Sequence, residues 1–414
     1  MRRPSWKWLR RIAIVGLMVG LAGPHVVAAY QYRAAHRDLA RFHPAAARSR
    51  METCLRTWPK SAGVRISASR AARQAGDLDD AAEQLLLARR LVGEPTDDLA
   101  FEWALLQASA GHVREVESYL QSQAERRPAE SHLVWEALAE GYLRTFRTVD
   151  AMSCVEHWLG ASPENVRALE LRGQIYILGR GVKRGSDDFR RTLELDPTRD
   201  DTRGRLTRAL LDLGAYGEAV PHLEHLMKSQ PDDAEVPVRL ARCFNMLDRK
   251  SEAQQLLRSV LDRHPEHGFA LRALGQFALT DGNPAEAEIH LRKAAAALPA
   301  DYQAHWLLYE AVRQQGKPDA AALLKDAEVV RDRSERIGEL QSRRLAEQPL
   351  EPALHVEMAL LLLQTGKDDI AITWLQSALS LDAKFRPAHR LLADLYSRKN
   401  QPDLAAAHRK LAEE

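Results

Sequence analysis

The sequence predicts an all-α fold in which antiparallel helix hairpins stack into a solenoid. Three observations predict it. Helix-forming Ala, Leu, Arg and Glu dominate the 414 residues, whereas β-branched residues are sparse and aromatic residues make up only 6%. Prolines recur at an almost constant interval, and glycines fall about midway between them.

The prolines mark the boundaries between hairpins. Their successive spacings are 36, 33 and 35 residues, followed by 34 residues four times. Proline is tolerated at the start of a helix but interrupts a helix interior, so a regular series of prolines indicates regularly spaced helix boundaries. The series consists of Pro59, Pro95, Pro128, Pro163, Pro197, Pro231, Pro265 and Pro299.

The glycines mark the turn inside each hairpin. Glycine commonly ends a helix because it adopts the left-handed backbone conformation without a steric penalty. Each glycine of the series precedes a new amphipathic run, which predicts a helix, a tight turn and a second helix within each period. These glycines are Gly76, Gly111, Gly214, Gly282, Gly316 and Gly366.

Residues 1–30 predict a signal anchor or a signal peptide. Five Arg and Lys residues precede position 12, and residues 12–30 contain no Asp, Glu, Lys or Arg. The positive flank predicts that residues 31–414 lie outside the cytoplasm. Residues 9–30 are long enough to cross a hydrocarbon core of about 30 Å, which predicts a single-pass membrane protein. The shorter uninterrupted run at 12–23, followed by small residues at 27–29, instead favours a cleaved, secreted or periplasmic protein.

Residues 31–59 predict an irregular first hairpin, and residues 60–327 predict regular repeats. In the first hairpin, residues 32–42 form the predicted first helix, and Ala47, Met51 and Cys54 mark the buried face of the second. In the regular repeats, small residues recur where helices approach closely and large residues recur where the next hairpin packs. These slots hold Leu171, Gly173, Tyr176, Gly185 and Phe189 in one period, and Leu206, Ala219, Leu240, Ala253, Leu274, Gly275 and Ala287 in the next three.

Over residues 45–414, the small and large residues at these packing positions resemble those of the tetratricopeptide repeat family. Residues 193–197 and 294–299 also resemble its repeat endings. The resemblance implies a right-handed superhelix of helix hairpins, a non-enzymatic scaffold whose concave face binds a protein segment. The best single match to its aromatic–Leu–small–Tyr–Ala–Pro pattern is formed by Trp135, Leu138, Ala139, Tyr142, Ala151 and Pro163.

Residues 328–349 depart from the period and predict an extended helix. A polar-rich helical run extends over 318–347, with Gly338 as the predicted point of bending. Two interpretations remain open: an arm that projects for self-association, or a long helix that packs on the neighbouring hairpin. Regular repeats resume over 350–414, and His408, Arg409 and Lys410 predict a polar outer face on the last helix.

No motif indicates catalysis, a cofactor or a metal. The sequence lacks a phosphate-binding loop, a nucleophile elbow and an HExxH motif. Cys54, Cys154 and Cys243 are odd in number and far apart, so we expect buried thiols rather than disulfides or metal ligands. The formal charge is +2, of which the first 11 residues contribute +5 and the remainder −3. A slightly acidic body predicts no nucleic-acid partner.

The resemblance also predicts where a partner binds. In this family, the N-terminal helix of each hairpin lines the concave face, so we expect the groove to be formed by those helices. Arginine offers a planar fork suited to carboxylates, so the hypothesised ligand is an acidic segment or a free C-terminal carboxylate. The family's Lys and Asn carboxylate clamp is not reproduced. Alternatively, the arginines pair with groove acids such as Glu235 and Glu310. The predicted groove residues are Arg208, Arg242, Asn245, Arg272, Gln276, Trp306 and Arg313.

Overall fold

The computed structural model describes residues 6–94 and 96–413, and it gives no side-chain description for residues 6–21, 342 and 346. All regular secondary structure in these described ranges is helical, which confirms the all-α prediction. The chain forms two compact units. The first contains the described residues up to Arg144 together with Val149–Ala168, and the second contains Thr145–Thr148 and the described residues from Leu169 onward.

The first unit is built from consecutive helices joined by short turns. A three-residue 3₁₀ turn, Pro128–Glu130, precedes the seventh helix. The helices are α1 (Trp6–Ala40), α2 (Pro44–Thr57), α3 (Ala62–Gln74), α4 (Leu78–Val92), α5 (Asp97–Ser109), α6 (Val113–Arg126), α7 (Ser131–Arg144) and α8 (Thr148–Ala161).

The second unit continues the same pattern. Its α18 is followed directly by a π-helical turn, Leu340–Arg344. The helices are α9 (Val166–Leu178), α10 (Val182–Leu195), α11 (Asp200–Asp212), α12 (Tyr216–Ser229), α13 (Glu235–Met246), α14 (Lys250–Arg263), α15 (Gly268–Thr280), α16 (Pro284–Ala297), α17 (Tyr302–Gln314), α18 (Ala320–Glu339), α19 (Leu345–Glu347), α20 (Pro352–Leu363), α21 (Asp368–Leu381), α22 (Arg386–Arg398) and α23 (Pro402–Glu413).

Pairs of helices form hairpins, in which we call the N-terminal helix the first helix and its partner the second helix. The two helices of a hairpin pack on each other, as in α3 with α4, α15 with α16 and α22 with α23. First helices of successive hairpins also contact each other: α3 with α5 and α5 with α7 in the first unit, and α13 with α15 and α15 with α17 in the second. The first helices therefore line one side of each unit.

The turn inside each hairpin requires one residue with positive φ. All six predicted glycines adopt it, with φ between +66° at Gly316 and +99° at Gly111. Hairpins without a glycine place another residue type in the same conformation. The turn geometry, rather than the glycine, is therefore the constant feature. The non-glycine residues are Phe42, Phe146, Arg180, Asp248 and Asn400.

The proline series also matches the structure. Each described proline follows the last residue of a second helix by two positions, as Pro197 follows Leu195 and Pro231 follows Ser229. Pro95 lies outside the described residues. The predicted hairpin boundaries are thus confirmed at every described proline of the series.

The predicted small slots are points of close helix approach. A Cβ at Gly275 would lie 2.5 Å from Leu291 Cγ, and one at Gly173 would lie 2.6 Å from Phe189 Cε1. Both distances are too short for a carbon–carbon contact, so only glycine fits without movement. The predicted large slots are buried, with the exception of Tyr176, whose half-buried ring lies under the Arg184 guanidinium. Tyr176 is therefore not the core residue that its slot predicts.

The first hairpin differs from the prediction at its start. The helix predicted over residues 32–42 is the last part of α1, which runs continuously from Trp6 and contains Pro24. Its Ala28 carbonyl accepts a hydrogen bond from Cys54 Sγ at 3.4 Å, which places α1 on α2. Within the described side chains, no helix combines the length and apolar character needed to span a membrane. The signal and anchor interpretations depend largely on residues 1–21, which lie outside the described side chains.

The predicted extended helix packs against its neighbours. Ala327, Val330 and Leu340 are buried, and Leu340 belongs to a core shared with α20. Arg336 Nε donates to Glu357 Oε1 at 2.9 Å, an ion pair that joins α18 to α20. These contacts favour the packed interpretation over a projecting arm. The helix becomes irregular at the π turn, two residues beyond the bend predicted at Gly338, where one extra residue is accommodated in a turn.

Candidate functional site

An open cleft of about 580 Å³ lies on the first helices of the second unit, between α13 and α15. Four of the seven predicted groove residues line it: Arg242 and Asn245 from α13, and Arg272 and Gln276 from α15. Their spacing of three or four residues puts each pair on one face of its helix. The structure thus brings the central part of the predicted groove together.

The amphipathic sequence of α13 orients this face. Val236, Leu240 and Phe244 are buried in the core of the second unit, whereas Arg242 and Asn245 on the other face of the helix are exposed. At the start of α15, the His267 side chain caps the helix by accepting a hydrogen bond from the backbone N–H of Ala270 at 3.3 Å. Helix formation and capping therefore determine which polar side chains reach the cleft.

Arg242 is the most available cation of the cleft. Its side chain is exposed, and within the described part of the chain it has no hydrogen-bond or ion-pair partner. Glu235, the one carboxylate of the lining, lies 3.3 Å from His267 Nε2 and 3.9 Å from Arg239, both measured from its carboxylate oxygens. Arg242 therefore keeps its charge and its five N–H donors for a ligand.

Two other cations of the cleft are held in place by aromatic rings and acids. Arg272 pairs with Asp301, and its guanidinium carbon lies 5.2 Å from the centre of the Phe269 ring. Lys250 pairs with Asp281 and lies 5.6 Å from the centre of the Phe277 ring. These contacts hold the positive charges at the edges of the cleft, beside the half-buried Phe269 ring and the Phe277 ring, which belongs to the buried core.

Cys243, which precedes Phe244 in the core of α13, is not suited to act as a nucleophile. All three cysteines are buried, as predicted. Burial raises the pKa of Cys243, the neighbour of Arg242, to about 11, so this thiol is protonated at neutral pH and is a poor nucleophile. Across the described residues, no group of three or more His, Cys, Asp or Glu side chains could hold a metal ion.

Three predicted groove residues do not line the cleft. Arg208 Nε donates to its own helix at Gly204 O, at 3.3 Å. Arg313 Nη2 donates to Glu310 Oε1 at 2.6 Å, the pairing that the alternative interpretation expected. Trp306 is 39% exposed on α17 but lies beyond the lining. The four arginines therefore do not form one continuous ladder of available charges.

Sequence reasoning missed part of the cleft lining. Arg239 lies three residues before Arg242, and this helical spacing could have identified it. Lys250 comes from the second helix α14, where no groove residue was predicted. The sequence did not distinguish Phe269 and Phe277 from aromatic residues of the core. No local pattern distinguishes these three, because their position depends on packing between hairpins.

Sequence reasoning also missed a buried ionic network on the first helices of the first unit. Arg73 and Glu136 are both about 99% buried, with 3.8 Å between Arg73 Nη2 and Glu136 Oε2. Gln74 Nε2 donates to the same carboxylate at 2.7 Å. Burial, and then the nearby Glu140, raise the pKa of Glu136. These charges contact one another inside the unit, whereas Arg242 faces solvent.

Residues 210–275 match the tetratricopeptide repeat family. The matched stretch extends from the end of α11 into α15 and includes Arg239, Arg242 and Arg272. It spans the hairpin that contributes most of the cleft and covers less than half of the chain. No curated protein sequence matches the chain significantly.

Several solved structures are similar to parts of the chain. A crystal structure of YrrB, described as a TPR protein with an unusual peptide-binding site, is 19% identical, covering 45% of this chain and 95% of its own, with a TM-score of 0.40. A tetratricopeptide repeat protein from Parabacteroides merdae is 15% identical, covering 69% and 99%, with a TM-score of 0.35. A monomeric IFIT1 mutant with Gppp-AAAA is 16% identical, covering 85% and 90%, with a TM-score of 0.36. Because these TM-scores lie below 0.5, no ligand is inferred from them.

Proposed function

We propose that the chain is a non-enzymatic scaffold of tetratricopeptide-type hairpins that binds an extended segment of a partner protein between α13 and α15. The observation that carries the proposal is the exposed Arg242, which lacks a partner among the described residues and lies beside Asn245 and Gln276 in an open cleft. A guanidinium in this position can bind a carboxylate through two parallel hydrogen bonds without first breaking an ion pair.

The ligand class follows from the charges of the lining. Arg239, Lys250 and Arg272 already have acidic partners, so Arg242 is the cation of the lining whose charge is uncompensated among the described residues. This favours an acidic segment or a free C-terminal carboxylate. The half-buried Phe269 adds apolar surface for a neighbouring side chain of the ligand. Amide groups at Asn245 and Gln276 can donate to and accept from an extended ligand backbone. Arg242 would therefore bind one carboxylate of the ligand, while the amide and apolar contacts would accept many different ligand sequences.

The test is partner capture with wild-type protein and with Arg242→Glu at matched salt. We expect the variant to lose partners that wild type retains, because a carboxylate would now meet a carboxylate. Arg258→Glu is the matched control, since this exposed arginine lies on α14 outside the cleft lining. Unchanged partners and unchanged salt dependence for a folded Arg242→Glu protein would show that the cleft is not the site.

We also propose that the ligand is protein rather than nucleic acid. The sequence beyond the basic N-terminus has a formal charge of −3, so it lacks the broad positive field that phosphate backbones require. Binding of a single-stranded RNA or DNA oligonucleotide is therefore expected to be absent at physiological salt. Filter binding with both oligonucleotides checks this expectation directly.

We further propose that residues 9–30 tether the chain to a membrane with the hairpins outside the cytoplasm. The support is the basic flank before an uncharged segment of 19 residues, 12–30. Fractionation of the native protein, followed by N-terminal sequencing, is the test. A membrane-bound chain with an intact N-terminus is expected, whereas a soluble product beginning at Tyr30 would favour cleavage and secretion.

A further inference from the structure

A second cleft, of about 520 Å³, lies within the first unit and differs in charge from the cleft described above. Helix α7 contributes Trp135 to its lining, α6 contributes Glu117 and Glu125, and α8 contributes Asp150 and His157. The two second helices α6 and α8 therefore flank a groove that the first helix α7 partly lines. No predicted groove residue belongs to it.

The aromatic surface of this cleft is held in a defined geometry. The Trp135 and His157 rings stack, with 5.1 Å between their centroids and 25° between their planes. His157 Nδ1 donates a hydrogen bond to Ser153 O at 2.8 Å, which fixes the orientation of the imidazole. The result is a preorganised aromatic wall, since one ring is anchored to the backbone and the other is half-buried.

Trp135 is particular to this hairpin. At intervals of 34 residues after Trp135, the same repeat position holds two leucines, an arginine, a proline and a histidine. An aromatic residue at this position matches the repeat pattern, but leucine occupies it in two other hairpins of this chain, so the hairpin fold does not depend on an indole there. The equivalent residues are Leu169, Arg203, Pro237, Leu271 and His305.

The lining of this cleft contains three carboxylates and no Lys or Arg. Glu125 is exposed, and nothing in the described part of the chain pairs with its carboxylate. Gln121 Nε2 donates to Glu117 Oε1, but only at 3.4 Å. Two carboxylates of the α6 wall thus remain available to a cation that rests on the aromatic rings.

We propose that this cleft binds an arginine side chain from a basic segment of a partner protein. The guanidinium plane stacks on the Trp135 indole, and its N–H groups donate to Glu117 and Glu125. Arginine fits better than lysine because only a planar cation satisfies stacking and a carboxylate fork together. The site lies in a different unit from the Arg242 cleft and does not depend on the function proposed for that cleft.

The probe is a fluorescein-labelled peptide, Gly-Arg-Gly-Arg-Gly, measured by fluorescence anisotropy with the full chain and compared with its Lys and Gln versions. We expect the Arg peptide to bind, the Lys peptide to bind several-fold more weakly and the Gln peptide not to bind. Trp135→Leu removes the stacking surface. Glu117→Gln with Glu125→Gln removes the two carboxylates that would accept hydrogen bonds from the guanidinium. Each variant is expected to weaken Arg-peptide binding by about tenfold.

The matched control is Glu115→Gln with Glu156→Gln. These two exposed carboxylates lie on α6 and α8 outside the lining, so the control removes the same amount of charge from the two helices that flank the cleft. Its affinity for the Arg peptide is expected to remain within about twofold of wild type. Equal loss in the control and the test pair would show non-specific attraction and overturn the proposal. Undetectable wild-type binding, or full binding by a folded Trp135→Leu protein, would also overturn it.

Discussion

At the scale of single residues, the hairpin turn imposes a backbone conformation that the side chain must accept. Left-handed backbone brings Cβ close to the following carbonyl oxygen in every residue except glycine. Asp248 adopts this conformation with φ of +59° between α13 and α14. Its side chain is exposed and pairs with no other described residue, so no contact compensates the steric cost.

Replacing Asp248 with glycine should therefore stabilise the second unit. We expect Asp248→Gly to increase the free energy of unfolding by about 0.5–1 kcal/mol, because glycine adopts positive φ without strain. Gln255→Gly, in the exposed interior of α14, is the control and should decrease it by a similar amount. Urea unfolding followed by circular dichroism measures both, and a loss of stability in Asp248→Gly would contradict the strain argument.

At the scale of helices, backbone-to-backbone approach decides which small residues matter. Gly141 of α7 faces α5 so closely that an added Cβ would lie 2.1 Å from the carbonyl oxygen of Ala108. Gly204 of α11 has open space around the same position, with no atom within 4 Å. Two helical glycines with equal intrinsic propensity therefore have different structural roles.

Substitution by alanine should separate these roles. Gly141→Ala is expected to destabilise the first unit by about 1–3 kcal/mol, because a backbone carbonyl must move. Gly204→Ala should stabilise the second unit by up to about 1 kcal/mol, since alanine favours helix more than glycine does. Hydrogen exchange of each variant also locates the change, which should begin in the adjacent hairpins. Equal effects of the two substitutions would contradict the helix-crossing argument.

At the scale of the whole molecule, hairpin stacking buries many imidazoles in both units. Burial is the largest cause of a lowered pKa for seven histidines, whose ordinary value is 6.5. Partial or full burial disfavours the charged imidazole, because it would lose hydration in the folded chain. The seven are His36, His132, His222, His290, His305, His355 and His408.

The stability of the folded chain should therefore fall as the pH falls below about 6.5. The folded state binds fewer protons than the unfolded state in this range, so protons favour unfolding. Carboxylates act lower on the pH scale: ion pairs, chiefly with Lys317, lower the pKa of Glu288 from 4.5 to about 2. Thermal unfolding between pH 7.5 and 5 at constant ionic strength measures the histidine range. His355→Gln should flatten the pH dependence, because burial lowers the pKa of this imidazole, whereas a constant Tm would contradict the prediction.

The sequence by itself determined the repeat, its turns and most of its buried positions. Proline and glycine restrict their own backbone, and in a solenoid each helix packs on near neighbours, so spacing along the chain converts directly into contacts. The buried Leu206 and Ala219 and the left-handed Gly214 were predictable for this reason. The same reasoning placed Arg242 and Arg272 on one face, where the structure forms a cleft.

Only the tertiary structure decided which charges remain available. Arg272 pairs with Asp301 across 29 residues of sequence, Arg313 pairs with Glu310, and Arg242 has neither kind of partner among the described residues. Similarly, Trp135 forms an open aromatic wall because its neighbours on α6 and α8 do not fill the groove. Availability depends on atoms a few ångströms away on other helices, and sequence spacing does not encode those distances.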